Sequence, residues 1–251
     1  MIKHLLLVLF FLGLLFFSCE NKKDTIKENI KKETINKSIK NTLHADNQKY
    51  KFKKITSPSL VDLKSIDSSI QIDLKYAGND NFMKKRLYFH TNELLLQKDV
   101  AIRLSKVQMY LKSLHPKYSL LVYDGARPLS VQQEMWRALD SIPVEKRVKF
   151  VSNPANGSLH NFGAAVDLTI CDEDKVPLDM GAGYDDIREL AYPRLEQHFL
   201  SIGKLTIHQV DNRKLLRKVM KTQGFVNIPT EWWHFNSCSR NEAKKKYQIM
   251  K

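Results

Sequence analysis

Between positions 98 and 114 the apolar residues Val100, Leu104, Val107 and Leu111 recur at helical spacing, and Pro116 follows the run. The pattern predicts an amphipathic helix. The stretch Ile70-Gln-Ile-Asp-Leu-Lys-Tyr76 alternates apolar with polar, as a half-buried strand does, and leads into the turn-rich Ala77-Gly-Asn-Asp-Asn81. Residues 119–123 predict a short buried strand that runs into Asp124-Gly-Ala-Arg127-Pro128. A helix is predicted over 130–139, with Ser130 as N-cap and Gln133 as its capping-box partner. Residues 164–170 and 231–235 read as strands, and 211–223 as a helix closed by Gly224. There is no internal repeat. Helices and strands mix without regular βαβ alternation, which predicts an α+β fold.

The opening of the chain follows a different rule. Lys3 and His4 precede an apolar run from Leu5 to Phe17, the length of a signal-peptide core and short for a membrane span. The run ends in Phe16-Phe17-Ser18-Cys19, a lipobox-like sequence with Phe16 where leucine is more usual. Residues 1–18 are therefore expected to be a lipoprotein signal peptide and Cys19 the lipidated residue; an ordinary signal peptide or an uncleaved anchor is the alternative. Two or more acyl chains would hold the mature protein at a membrane, exported to the bacterial cell envelope. Residues 19–57 are expected to be a flexible tether. From Glu20 to Lys54 there are 11 lysines against 5 acids and no glycine or proline, too polar a composition to offset the cost of ordering. Residues 58–251 form one domain by length.

Charge narrows the function by exclusion. The formal +14 is misleading, because +6 of it sits in the tether. The domain's own excess is scattered rather than interleaved with aromatics, so no nucleic-acid partner is expected. Nothing calls for an obligate protein partner.

The chemistry lies in two separated motifs, Ser158-Leu-His160-Asn-Phe-Gly163-Ala-Ala165-Val-Asp167 and Glu231-Trp232-Trp233-His234. Two imidazoles and a carboxylate are the usual ligand set of a catalytic zinc with one position open for water. The glutamate left over could take the proton from that water. Alone, each half is ambiguous: a single histidine is commonly a satisfied core residue, and Glu-Trp-Trp-His fits a helix face or an aromatic strand. Gly163 has a backbone reason to be glycine, either approach to the metal or a strained turn.

Taken in order, Asp-Gly-x-Arg-Pro, Ser-x-His-x-x-Gly-x-Ala-x-Asp and Glu-x-Trp-His resemble the zinc D-alanyl-D-alanine dipeptidases, the VanX-type branch of the M15 metallopeptidases. The resemblance extends from Asp73-Leu-Lys-Tyr76 through Asn81-Phe82, Asp167-Leu-Thr, Met180-Gly181 with Asp185, Asn212-Arg213 and Gly224-Phe225 to Phe235. It implies a single α+β domain whose central antiparallel sheet carries one zinc, flanked by helices. It implies His160, Asp167 and His234 as the ligands, Glu231 as the base and Arg127 as the residue that stabilises the tetrahedral intermediate. Asp124 and Asp185 would lie near the substrate's ammonium group, with Tyr76 and Ser158 as further substrate contacts; each of the four could instead be a turn or cap residue.

The implied activity is zinc-dependent hydrolysis of the D-Ala-D-Ala dipeptide at the cell envelope. A D,D- or L,D-carboxypeptidase trimming wall peptides is the alternative, though relatives of that kind usually have proline where this chain has Trp232. A non-catalytic wall-binding lipoprotein is a third reading, against which the complete set of chemical residues argues. Cys171 and Cys238 each lie four residues beyond a proposed ligand. On an antiparallel sheet such as the resemblance implies, they diverge beyond disulfide reach, so free thiols are expected.

Overall fold

One five-stranded sheet is the frame on which the rest is built. The structure is a computed structural model that describes residues 59–89, 93–148 and 150–250; all belong to one compact unit, Lys54–Lys251. The leader, Cys19 and the tether lie outside the described residues. In chain order the elements are β1 (Leu60–Asp62), α1 (Leu63–Ile66), β2 (Gln71–Ile72), β3 (Leu95–Gln97), α2 (Lys98–Leu114), β4 (Ser119–Asp124), α3 (Leu129–Ala138) and α4 (Val144–Arg147). They continue as β5 (Ala165–Cys171), α5 (Glu196–Ser201), α6 (Ile207–Lys221), β6 (Val226–Ile228), β7 (Glu231–Asn236) and α7 (Arg240–Lys246). The fold is α+β, as expected. Strands β4, β5, β7 and β6 pair antiparallel, and only the two-residue β2 joins the edge in parallel.

Helix α2 has the predicted limits, and Val100, Leu104, Val107 and Leu111 are fully buried in the core beside β4 and β5. Each such side chain contributes roughly 1.5–3 kcal/mol by leaving water. Strands β4 and β5 are buried along their whole length, so the middle of the sheet, which carries the chemistry, cannot relax independently of the core.

Three expectations need correction. Ser130 is not an N-cap: α3 starts one residue earlier, behind Pro128, and no side chain caps it. The ring presets a backbone angle of −57° there, and the Ser130 hydroxyl is left buried without a partner. Helix α6 begins at Ile207 rather than at 211, because Thr206 and Gln209 form a reciprocal capping box. The strand expected over 70–76 stops at Ile72, and residues Lys75–Ala77 make a 3-10 turn that buries Tyr76. Burial of that aromatic ring overrides the alternating pattern.

Cys171 and Cys238 are free. Asp167 pairs with His234 on antiparallel strands, so residues four further along each run in opposite directions.

Candidate metal centre and active site

The site is assembled where β4, β5 and β7 lie side by side. Asp167 of β5 stands opposite His234 of β7 in the ladder, and on its other side opposite Asp124 of β4. A bulge between Val122 and Asp124 shifts the register there, a device that re-aims side chains at strand ends. The third component, His160, sits on a 3-10 turn, Leu159–Phe162, just before β5. Ser158 caps that turn through its hydroxyl while the Asn161 carboxamide accepts from the Ser158 N–H at 2.7 Å. Gly163 closes it at φ +63°, where a Cβ would lie 2.7 Å from Leu60 Cδ2. The glycine thus serves the turn, and its neighbours are Leu60, Gln97 and Ala126 rather than the ligand atoms.

His160 Nε2, His234 Nδ1 and Asp167 Oδ1 converge. The separations are 3.1 Å between the imidazoles, 2.9 Å from His234 to Asp167 and 3.3 Å from His160 to Asp167. The far side of each ring is held: His160 Nδ1 donates to Gly125 O at 2.7 Å and His234 Nε2 to Asn236 Oδ1 at 2.9 Å. In the neutral imidazoles this leaves two bare nitrogens facing a carboxylate oxygen. Burial works against the Asp167 charge, yet the two histidines outweigh it and hold the carboxyl well below its ordinary range. Three such ligand atoms, converging on one point, suit a cation between them. The edges approach the roughly 3.3 Å expected between neighbouring ligands of a tetrahedral ion bonded at about 2.0–2.1 Å. The outer hydrogen bonds that fix the rings are of the kind that orient metal ligands.

Arg127 and Glu231 flank this cluster. The Arg127 backbone is stitched to the His160 turn, its N–H donating to His160 O at 3.0 Å and its carbonyl accepting from Asn161 Nδ2 at 2.8 Å. Its guanidinium donates to Asp124 Oδ2 from Nε and Nη2, at 2.9 and 2.5 Å, and to Gln132 Oε1 from Nη1 at 3.0 Å. A guanidinium has five N–H donors, so donors remain for a ligand. Glu231 Oε2 lies 3.9 Å from His234 Nδ1. Among the described residues its carboxylate has no hydrogen-bond partner. Burial, foremost, pushes it up to about 7.

These groups line one cavity of about 200 Å³, together with Tyr76, Ser158 and Asp185. Asp185 accepts from Tyr76 Oη at 2.9 and 3.1 Å and from the Phe82 N–H at 3.3 Å. No cation pairs with it among the described residues, and burial pushes its carboxyl up to about 7. Asp124 is placed differently. It is fully buried behind Arg127, its carboxylate taken by that guanidinium, by Tyr88 Oη at 2.7 Å and by the Gly125 N–H at 2.9 Å. It does not reach the cavity, so its geometry is that of an anchor for Arg127 rather than of a contact to an ammonium group.

Four residues escaped the sequence reading. Asn236 orients His234, Gln132 and Asn161 orient Arg127, and Tyr184 donates to Asp167 Oδ2 at 3.2 Å. Asn236 had a signal, since it stands two residues from His234 on one strand and so shares its face. Tyr184 had only its position beside Asp185.

A buried group of potential metal ligands that opens on a small cavity, with an unengaged carboxylate at its edge, is an arrangement suited to a metal-dependent hydrolase. The comparisons agree. The family model described as D-ala-D-ala dipeptidase, Peptidase_M15, matches residues 56–250. A D-alanyl-D-alanine dipeptidase of Escherichia coli (strain K12) is 36% identical over 70% of this chain and 83% of its own length. Another, from Enterococcus faecalis (strain ATCC 700802 / V583), is 31% identical over 66% of this chain and 85% of its own. Among solved structures, the LD-carboxypeptidase LdcB covers 75% of this chain and 72% of its own at 15% identity, with a TM-score of 0.37. The chain belongs to the M15 peptidase family.

Proposed function

We propose that the protein hydrolyses the D-Ala-D-Ala dipeptide with one zinc held by His160, Asp167 and His234. Two imidazole nitrogens and one carboxylate oxygen, with a position left for water, suit catalytic zinc. One observation carries the substrate assignment: Asp185 is a desolvated carboxylate with no cation paired to it among the described residues, facing the same cavity as His160, His234 and Glu231. A free ammonium group next to the scissile bond supplies the missing partner. The cavity, at about 200 Å³, is below the roughly 300–1,000 Å³ of drug-sized ligand sites, which favours a dipeptide. The names of the curated relatives point the same way.

When bound, zinc supplies a Lewis acid that polarises the scissile carbonyl and lowers the pKa of water toward neutrality. Glu231 then takes the proton of the attacking water and returns it to the leaving amine, as general base and general acid in turn. Arg127, fixed by Asp124 and Gln132, offers its remaining N–H donors to the oxyanion. Preorganisation is what makes such a donor effective, and losing one typically costs about 3–4 kcal/mol of barrier. Tyr76 and Phe82 hold Asp185 toward the amino end. Ser158 caps the His160 turn and also lines the cavity, where its hydroxyl is available to substrate.

The test is the amino end of the substrate. Acetylation removes the ammonium charge and leaves Asp185 desolvated and unpaired, a mismatch of a few kcal/mol, or roughly two to three decades in rate. The purified zinc protein should cleave free D-Ala-D-Ala and be slower by that margin on N-acetyl-D-Ala-D-Ala and on a wall pentapeptide. Asp185→Asn should narrow the gap by harming the free dipeptide most. Equal kcat/KM for the free and acetylated forms would promote the carboxypeptidase reading instead.

The apolar run from Leu5 to Phe17 followed by Ser18-Cys19 supports export and lipid anchoring at Cys19, with residues 19–57 as a tether for the catalytic domain. Cys19→Ser should release the protein from membranes or stall its processing. An unchanged membrane fraction and mature mass would leave a plain signal or an uncleaved anchor.

A further inference from the structure

Tyr184 and Asp185 reach the site from a loop, residues 180–190, which is outside the sheet. No ladder fixes it. Asp185 also adopts φ +59°, in the left-handed region that aspartate enters more readily than most residues other than glycine. Side chains from the neighbouring elements grip the loop.

Arg213 of α6 grips both ends. The residue is 1% exposed; Nε donates to Met180 O at 2.7 Å and Nη2 to Leu190 O at 3.0 Å. Trp232 fixes the middle, its Nε1–H donating to Ala182 O at 3.0 Å. As a device for stability alone, Arg213 is poorly arranged. Its Nη1 is buried without a hydrogen-bond partner. Its nearest acid, Glu196, is 3.6 Å away and already bidentate to Arg217 at 2.7 and 2.6 Å. Buried charge with imperfect pairing stabilises little, whereas a rigid planar fork holding two carbonyls sets a geometry.

We infer that Arg213 is a positioning residue for the reaction: by clamping Met180 and Leu190 it sets where Tyr184 meets Asp167 and where Asp185 meets the substrate's amino end. The Asp185 half rests on the amino-end reading proposed above; the Tyr184 half does not. Removing Arg213 leaves Glu196 paired with Arg217, so Arg213→Met strands no buried acid.

The experiment measures two quantities on the zinc-loaded protein. One is the ratio of kcat/KM for free over N-acetylated D-Ala-D-Ala at saturating zinc, and the other is zinc affinity by competition with a chelator. Arg213→Met should lower kcat/KM for the free dipeptide at least tenfold, mainly through KM, and narrow the ratio by a similar factor. Zinc affinity should weaken by about tenfold, as when an outer partner of a ligand is lost. Arg213→Lys, which keeps donors near both carbonyls, should recover part of each. A purely structural role would lower Tm and leave both quantities at wild type, and that result in folded Arg213→Met overturns the inference. If Arg213→Met does not fold, Arg213→Gln, whose short amide cannot span both carbonyls, carries the same two measurements, and wild-type values in that folded variant overturn it. Asp185→Asn runs in parallel. An unchanged ratio there sinks the amino-end reading, and Arg213 is then judged on zinc affinity alone.

Discussion

Glu231→Ala should keep its zinc and its fold and lose roughly two to four decades of kcat, the usual contribution of a positioned general base. The carboxylate lines the cavity and approaches His234 without being among the three converging ligand atoms. It has no hydrogen-bond partner among the described residues, so little of the fold depends on it. The loss should appear in kcat with KM nearly unchanged, because the proton transfers belong to the transition state. The pH profile provides a second check. Burial, opposed by His234 and reinforced by Asp167, raises the Glu231 carboxyl to about 7. A bound dication pulls it back down. A base must be ionised, so kcat of the wild type, read with Asp185 already paired to the bound ammonium group, should climb with pH through a limb below 7, and the variant should lack that limb. Near-normal kcat in a zinc-loaded Glu231→Ala protein would remove it as the base.

How much of this was legible in the sequence depended on the range of the interaction. The converging His160, Asp167 and His234, with Glu231 beside them, stood out because their chemistry is uncommon in combination and each motif is local. Helix α2 was equally plain, since four buried side chains at helical spacing leave no other period. Thr206-Ile-His-Gln209 is a capping box in the sequence too, but the polar turn it opens hid the start of α6. Tyr76 could not be placed from its own segment, because its hydroxyl answers to Asp185 more than a hundred residues away. The same holds for Asp124. Asp-Gly-x-Arg-Pro fits a carboxylate that faces substrate or one that grips the arginine three residues on, and only the register of β4 against β5 places it behind Arg127.

Replacing His160 or His234 by alanine should abolish stoichiometric zinc binding. Three potential ligand atoms converge at this site, so an ion bound there provides bonds and offsets their mutual repulsion. Ligand binding to the folded state stabilises it by about 4 kcal/mol when free zinc is a thousandfold above its Kd. For a domain of this size that is on the order of 10 °C in Tm. A chelator should therefore lower the wild-type Tm by about that amount and leave the Tm of His160→Ala unmoved. The insensitivity separates metal loss from general damage, because a variant that was merely destabilised would start lower and still fall on chelation. Should either variant retain one tightly held zinc per chain and a chelator-dependent Tm, the His160, Asp167 and His234 centre is wrongly assigned.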